Sequence, residues 1–348
     1  MRRLNSLQGL RAVAFMGVFL GHCGIGYGGG MGVSVFLVLS GFLMIYNYYQ
    51  KDDMKCGILY NIKFSANKIK KLYPLHLIMI IPMLALSSIG YIKSGEYIAC
   101  ISDIFPKLLA DVSLIQAWIP IRSFYFAFNG VAWFLSVCAF LYFIFPYLLR
   151  KMKKDWSNKK SFILIGVVIL LQLAIALFAN TQLCQKIVEN TAWVLYICPL
   201  YRCGDFIIGC NLGYIFLAKN KKNNTKTSTA TIFELLAIAL MTLCYLAPKF
   251  VNVPEEIQFS LLYIPGSVAL VYVFANGAGL ISKLFSTKLF VEVGNISGYT
   301  FLIHQVVINL MENVKLSMMI VPVVSLVVTF LAAYAYRFVL TKVKRKGN

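Results

Sequence analysis

An arginine and a histidine lie inside the first strongly apolar stretch of the chain, LNSLQGLRAVAFMGVFLGHCG. Arg11 and His22 are eleven positions apart, and eleven steps of about 100° return a helix to within roughly 20° of its starting direction. Both side chains are therefore predicted on one helix face, about 16 Å apart along the axis. Placing Arg in a bilayer costs about 2.5 to 3.5 kcal/mol on insertion scales, so the pair predicts a polar cavity inside the protein.

The element that carries this pair is predicted to be the first of ten membrane-spanning helices. The mean hydropathy of +0.75, the 59% of hydrophobic residues and the 13% of charged residues are typical of a polytopic membrane protein, and runs of about 20 apolar residues favour helices over barrel strands. We predict an all-α bundle with one integral membrane domain over residues 1–348 and no separate soluble domain. The predicted spans are about 4–25, 31–49, 72–91, 130–149, 161–180, 194–217, 228–247, 259–277, 289–311 and 317–340.

The distribution of basic residues predicts the orientation of the chain. With both termini in the cytoplasm, 24 Lys and Arg lie on that side and six on the other, which agrees with the positive-inside rule. The same loops account for the net charge of +20, because they face an anionic lipid leaflet, so we expect no nucleic-acid partner. We expect a multi-pass membrane protein, with the lipid bilayer as its surroundings.

Six glycines lie between the first two spans, at positions 24, 26, 28, 29, 30 and 32. They predict a tight hairpin with positive φ angles and close backbone approach. One interpretation is a compact turn. The other is that this bare backbone lines the mouth of the cavity into which His22 points.

Other polar side chains enter the apolar stretches at three places. Lys68 and Lys71 precede the third span, where they either anchor the helix at the interface or contact a phosphate-bearing ligand. His304 is predicted at a depth similar to that of His22, as a satisfied structural residue or a functional one. His76, at the edge of the third span, favours a structural or interfacial role. The nine cysteines lack paired spacing, so no metal site is predicted.

Arg202 and Asp205 are three residues apart in the sixth span, where they are expected to neutralise each other within the bundle. Gly209 and Gly213 follow on the same predicted helix. They form a small-residue face, which favours close packing against a neighbouring helix.

The ordered set of these segments resembles the membrane acyltransferase family 3, which includes bacterial O-acetyltransferases of surface polysaccharides. The resemblance runs from about residue 4 to 310. It implies transfer of an acyl group, usually acetyl from cytosolic acetyl-CoA, to a hydroxyl of a glycan or lipid-linked sugar on the extracytoplasmic side. The segments are LNSLQGLRAVAFMGVFLGH, GVSVFLVLSGFLM, KIKKLYP, AWFLSVCAFLYFIFP, PLYRCGDFIIG and GNISGYTFLIHQ.

The resemblance also implies roles for particular residues. Positions matching Arg11 and His22 are needed for activity in the family, and a paired-arginine motif implicated in donor binding is replaced here by Lys68 and Lys71. Lysine keeps the charge of arginine but loses its bidentate phosphate geometry. Many members have Glu where this chain has Cys138, so no acid role is assigned there.

These residue types support a mechanism. A neutral imidazole accepts a proton near physiological pH, so His22 is predicted to be the base that activates the sugar hydroxyl. Arg11 would bind the donor or stabilise charge on the thioester carbonyl. His304 is a second candidate, for acceptor positioning or proton relay. The guanidinium of Arg11 and the imidazole of His22 are expected to act on one thioester in a single water-filled tunnel. Transfer would be direct or would pass through an acyl-histidine.

Two other classes of function remain open at this stage. A transporter would export a glycan or lipid-linked precursor without changing it covalently, although no internal repeat is visible between the halves of the sequence. A scaffold in a glycan-assembly complex would tolerate His22→Ala. Partner proteins of glycan assembly are an expectation in either case.

Overall fold

The computed structural model describes residues 3–26, 28–51, 54–188, 190–219, 225–314 and 319–346. Throughout these ranges the regular secondary structure is helical, without a strand. Three short helical turns, Gln116–Trp118, Trp193–Ile197 and Leu261–Tyr263, supplement the longer helices. The α-helices are α1 Asn5–His22, α2 Gly28–Tyr48, α3 Ile58–Ile69, α4 Tyr73–Ser94, α5 Tyr97–Val112, α6 Arg122–Tyr125, α7 Trp133–Lys154, α8 Asn158–Ala179, α9 Gln182–Ile187, α10 Pro199–Lys219, α11 Thr227–Phe250, α12 Glu255–Gln258, α13 Ile264–Asn276, α14 Leu280–Phe285, α15 Lys288–Asn313 and α16 Ile320–Lys346.

Seven of these helical segments are long and apolar enough to cross a membrane, so the chain is a multi-pass membrane protein. Six of them are α2, α4, α7, α8, α11 and α16. The seventh is the segment Trp193–Lys219, which contains α10. The other three predicted spans coincide with α1, α13 and α15. The count of ten crossings and the orientation of the termini stay predictions. Four residues of the charge count lie outside the described residues, namely Arg2, Lys221, Lys222 and Lys315.

The helices α2 and α10 form the centre of the bundle. In each, 72% of the most apolar stretch is buried inside the protein, compared with 17% for α4, α8 and α16. α1 packs between α2 and α15, while α8 and α13 cover the sides of the central pair and α11 packs outside α13. Buried polar groups are therefore best sheltered from lipid along α1, α2, α10 and α15.

Small residues allow the central helices to approach closely. A Cβ atom on Gly213 would lie 2.8 Å from the carbonyl oxygen of Phe42, and one on Gly209 would overlap the carbonyl oxygen of Val38. The predicted small-residue face of α10 is thus confirmed, with α2 as its partner. The same device brings α15 against α1, since a Cβ on Gly294 would overlap the backbone of Gln8.

The segment between the third and fourth predicted spans contains structure that the sequence did not predict. α5 folds back along α4, and Tyr73 Oη donates a hydrogen bond of 2.9 Å to the carbonyl oxygen of Val112. His76 is fully buried there and donates from Nε2 to the carbonyl oxygen of Asp111 at 3.1 Å. This contact agrees with a structural role for His76.

Candidate functional site

Arg11 lines a cavity of about 430 Å³ at one end of the bundle, which we call the arginine cavity. A recess of about 90 Å³ extends it towards α15 and is lined in part by Ser297, Gly298 and Phe301. The cavity itself lies between α1, α2, α7 and the end of α3. Its lining consists of Arg3, Leu4, Gln8, Arg11, Phe36, Leu39, Ser40, Leu43, Met44, Tyr46, Asn47, Lys68, Phe134, Cys138 and Tyr142.

The charges in the arginine cavity are all of one sign. Arg3, Arg11 and Lys68 contribute three cations, and no Asp or Glu is among the described lining residues. The Nε of Arg11 is buried and has no hydrogen-bond partner among the residues that the structure describes. A buried donor without a partner lowers the stability of the protein by about 1 to 3 kcal/mol. An anionic or carbonyl oxygen of a ligand would supply the missing hydrogen bond to this guanidinium.

Of the two lysines predicted to act together, only Lys68 lies in the cavity. Its Nζ donates to Tyr48 Oη at 2.6 Å and lies 4.3 Å from the centre of the Tyr48 ring. α3 ends at Ile69, and Lys71 lies in the turn that follows, where it is exposed and outside the cavity lining. The structure therefore brings Lys68 to Arg11 but does not bring Lys71 there.

His22 lies at the other end of α1 and lines a second cavity of about 410 Å³, the histidine pocket. Gly24 and Gly26 have φ angles of +73° and +85°, which confirms the predicted turn, and Gly26, Gly29 and Gly30 line the pocket beside His22. The bare backbone of the hairpin thus forms part of the cavity wall. The full lining is Gly21, His22, Gly26, Gly29, Gly30, Tyr196, Glu255, Gln258, Phe259 and Tyr263.

Two amides on α15 hold the imidazole of His22. Its Nδ1 lies 2.5 Å from Gln305 Oε1, and Gln305 Nε2 donates to Asn309 Oδ1 at 2.8 Å. Because an amide oxygen only accepts, this contact requires a hydrogen on Nδ1 of His22, and in the neutral imidazole the lone pair then lies on Nε2. This is the tautomer that a general base needs, with an amide in the place where many active sites use a carboxylate.

His304 packs directly against this imidazole. The two rings are perpendicular, with centroids 5.1 Å apart. His304 is fully buried and donates from Nδ1 to the carbonyl oxygens of Thr300 and Phe301, while its Nε2 has no partner among the described residues. The structure thus brings together His22 and His304, which the sequence placed at a similar depth.

Aromatic side chains lie between the two cavities. Phe36, Phe134 and Phe301 line the arginine cavity or its recess, and the ring of Phe301 lies 5.7 Å from that of His304. Phe15 and Phe19 of α1 complete this group, which we call the aromatic partition. The two cavities share no lining residue, so the structure differs from the single tunnel expected from the sequence. The turns of α1 between Arg11 and His22 present phenylalanine rings to the bundle interior.

The predicted pair of Arg202 and Asp205 is confirmed and lies next to the histidine pocket. Arg202 Nη2 is 3.2 Å from Asp205 Oδ2, and both side chains are fully buried. Asp205 also accepts from Gln172 Nε2 at 2.9 Å and from Ser260 Oγ at 3.2 Å. The Arg202 guanidinium lies 5.8 Å from the ring centre of Tyr196, a residue of the pocket wall.

Comparison with known proteins shows the family of the chain. The acyltransferase 3 family, described as an acyltransferase domain, matches residues 4–340. The chain belongs to that family. The resemblance noted in the sequence is thereby confirmed over nearly the whole chain, and no solved structure matches.

Proteins similar to this chain carry acyl-transfer names. The chain is 26% identical to the acyltransferase MdmB of Streptomyces mycarofaciens over 330 residues, which cover 88% of this chain and 79% of that protein. It is 24% identical to the O-acetyltransferase OatA of Staphylococcus aureus over 386 residues. That match covers 99% of this chain but only 58% of OatA.

Several residues of this family member's two cavities were missed in the sequence. Gln305 and Asn309 are four apart on one helix directly after His304, and this spacing was the available signal. Tyr196, Glu255 and Tyr263 come from segments about 60 residues apart and gave no local signal. Arg3 was counted only among the cytoplasmic charges that predict the orientation.

Proposed function

We propose that this chain is a membrane O-acetyltransferase of a bacterial cytoplasmic membrane. It would take acetyl groups from cytosolic acetyl-CoA and transfer them to a hydroxyl of an extracytoplasmic or lipid-linked glycan. The family membership and the names of the relatives support acyl transfer. The observation that carries the rest is that the two ends of α1 line two different polar cavities, one with three cations and one with the imidazole of His22, whose Nδ1 contacts Gln305 Oε1.

The arginine cavity supports the assignment of the donor. Acetyl-CoA carries phosphates, and Arg3, Arg11 and Lys68 supply cations without an acidic neighbour among the described lining residues. Arg11 and Lys68 also line the recess, whose wall includes Phe36, Phe134 and Phe301 of the aromatic partition. The phosphates would be held by Lys68 and Arg3, with the thioester arm directed past Arg11. Lys71 remains a weaker candidate, since it lies outside this lining.

The histidine pocket supports the assignment of the acceptor side. In the proposed reaction, His22 Nε2 removes the proton of the sugar hydroxyl while the hydroxyl oxygen attacks the acetyl carbonyl carbon. The C–S bond breaks, the ester forms, and the proton passes to the departing sulfur to give free CoA. Gln305 keeps Nε2 available throughout, and His304 packs against the ring and limits its rotation.

Transfer requires the acetyl group to pass the aromatic partition. Phe134 is only half-buried, and it lines the arginine cavity together with Phe36, so this pair is where the arm would enter. The arm either reaches the histidine pocket directly or first acylates an imidazole. The second route would leave a radiolabelled protein after acceptor is withheld.

The decisive experiment uses sealed membrane vesicles with radiolabelled acetyl-CoA on one side and candidate glycans on the other. The expected result is labelled glycan that gains one acetyl mass per modified sugar, only when donor and acceptor are on opposite sides. His22→Gln should abolish the signal, and His76→Gln, which keeps a donor towards the Asp111 carbonyl, should not. Glycan that crosses the membrane with unchanged mass would instead favour an exporter.

A further inference from the structure

The lining of the histidine pocket selects among acceptors by charge. We infer that the pocket accepts a sugar ring that is uncharged or carries an amino group, that it disfavours acidic sugars, and that Glu255 is the residue that sets this preference. The inference rests on the proposed function only in naming the pocket as the acceptor site. Binding by itself can be measured without acyl transfer.

An aromatic wall gives the pocket its affinity for a ring. Tyr196, Phe259 and Tyr263 line it, and the rings of Tyr196 and Phe259 lie 6.2 Å apart at 41°. The faces of aromatic rings are electronegative, and the C–H faces of a pyranose are apolar and weakly positive, so the two stack favourably. Such a wall recognises the shape of a sugar ring and leaves its hydroxyls free.

The described polar side chains that line the pocket include one carboxylate, one amide and two tyrosine hydroxyls, which can donate or accept. Gln258 uses its Nε2 to donate to the carbonyl oxygen of Val253 at 2.7 Å, which leaves its Oε1 to accept from a ligand. Glu255 adds a carboxylate, and among the described lining residues no Lys or Arg balances it. Hydroxyl and ammonium groups donate to such a surface. A ring carboxylate or phosphate would meet repulsion from Glu255 and would find no cation.

Buried polar residues outside the pocket support the aromatic wall, whereas the Glu255 side chain at the edge of the wall has no such contact within the described residues. Ser260, directly after Phe259, donates to the buried Asp205, and Arg202 supports the ring of Tyr196. Glu255 is the first residue of α12 and is exposed, and its side chain makes no hydrogen bond within the described part of the chain. Its charge can therefore be removed without disturbing the pocket.

The neighbouring Glu256 provides a matched control. It carries the same charge on the same short helix but does not line the pocket. Glu255→Gln and Glu256→Gln change the net charge of the protein equally. Any difference between the two variants reports the local field in the pocket, because the long-range field of the protein changes alike in both.

The test measures binding of three glycosides to the full-length protein in lipid nanodiscs, without donor, by saturation-transfer NMR. The probes are p-nitrophenyl β-D-glucoside, β-D-glucosaminide and β-D-glucuronide. The wild type should bind the glucuronide more weakly than the other two. Glu255→Gln should reduce this discrimination by about two- to fivefold, the range for a solvent-accessible charge pair, and Glu256→Gln should not.

Three results would overturn the inference: equal binding of glucoside and glucuronide to the wild type, the same change in both variants, or no saturable binding of any probe. A separate arm adds radiolabelled acetyl-CoA to the same samples. Selective binding without any transfer would count against the proposed function and leave the charge selectivity standing. Transfer without charge selectivity would support the proposed function and overturn the inference about Glu255.

Discussion

The arginine cavity and the histidine pocket have similar volumes, about 430 and 410 Å³, but opposite character. The first collects cations without an acidic group in its described lining, and the second combines an imidazole and aromatic rings with one carboxylate. Both are reached from the same helix, α1, through Arg11 and His22. One helix can thus present an anion-binding group to one ligand and a base to another, provided that the turns between them are filled with apolar side chains.

The largest effect is expected where both cavities share support. Gly209→Leu would force a side chain into the backbone of α2 at Val38, and α2 lines both cavities. Overpacking costs typically about 1 to 3 kcal/mol, and more where the obstacle is backbone, so donor and sugar binding should be lost together. Size-exclusion chromatography and thermal melting check this. Gly166→Leu on α8, where a Cβ meets open space, is the control and should behave as wild type.

The next largest effect separates the two cavities. His22→Ala should lower acetyl transfer by about 10²- to 10⁴-fold, the usual contribution of a general base, with little change in acetyl-CoA affinity. Transfer rates in vesicles and donor binding to the purified protein measure the two quantities. A variant with nearly wild-type transfer would remove His22 from the mechanism.

A change at the other end of α1 should have the reverse pattern. Arg11→Met should weaken acetyl-CoA binding by about 10- to 100-fold, because it removes a charge-assisted contact worth roughly 1.5 to 3 kcal/mol. Glycoside binding in the histidine pocket should stay unchanged. Arg11→Lys should recover part of the loss. If Arg11→Met impaired glycoside binding as strongly as donor binding, the two cavities would not be independent.

The smallest effect distinguishes two neighbouring lysines. Lys68→Gln should raise the dissociation constant of acetyl-CoA by up to about fivefold, since Lys68 lines the arginine cavity. Lys71→Gln should leave it unchanged, because Lys71 is exposed and outside that lining. An equal loss of acetyl-CoA affinity in the two variants would show that Lys71 also contributes to donor binding.

Helix positions were predictable from the sequence because long apolar runs have one solution in lipid. Every predicted span overlaps a helix, and the charged pair in α10 and the glycine face beside it were found from spacing alone. α5 was missed, because its 16 residues include Asp103, Lys107 and Asp111 and read as a polar connection. Only its packing along α4 shows that it belongs to the bundle.

The candidate site was predictable one helix at a time. Arg11 and His22 were identified because charged and titratable groups are rare in apolar helices. Periodicity could not show that phenylalanines from α2, α7 and α15 converge between them, since that depends on how four helices pack. The wall of Tyr196, Phe259 and Tyr263 was invisible for the same reason, because its members share neither a helix nor a sequence pattern.

The aromatic partition has a consequence for the energy supply of the cell. Two water-accessible cavities that met in mid-membrane would conduct protons and small cations, and the transmembrane potential would drive a steady leak. Apolar constrictions stop such leakage by excluding water, even when they are only a few rings thick. Phe36, Phe134 and Phe301 are in ring contact, and in the proposed enzyme these contacts would let charged groups lie at depth while the membrane stays impermeable to ions.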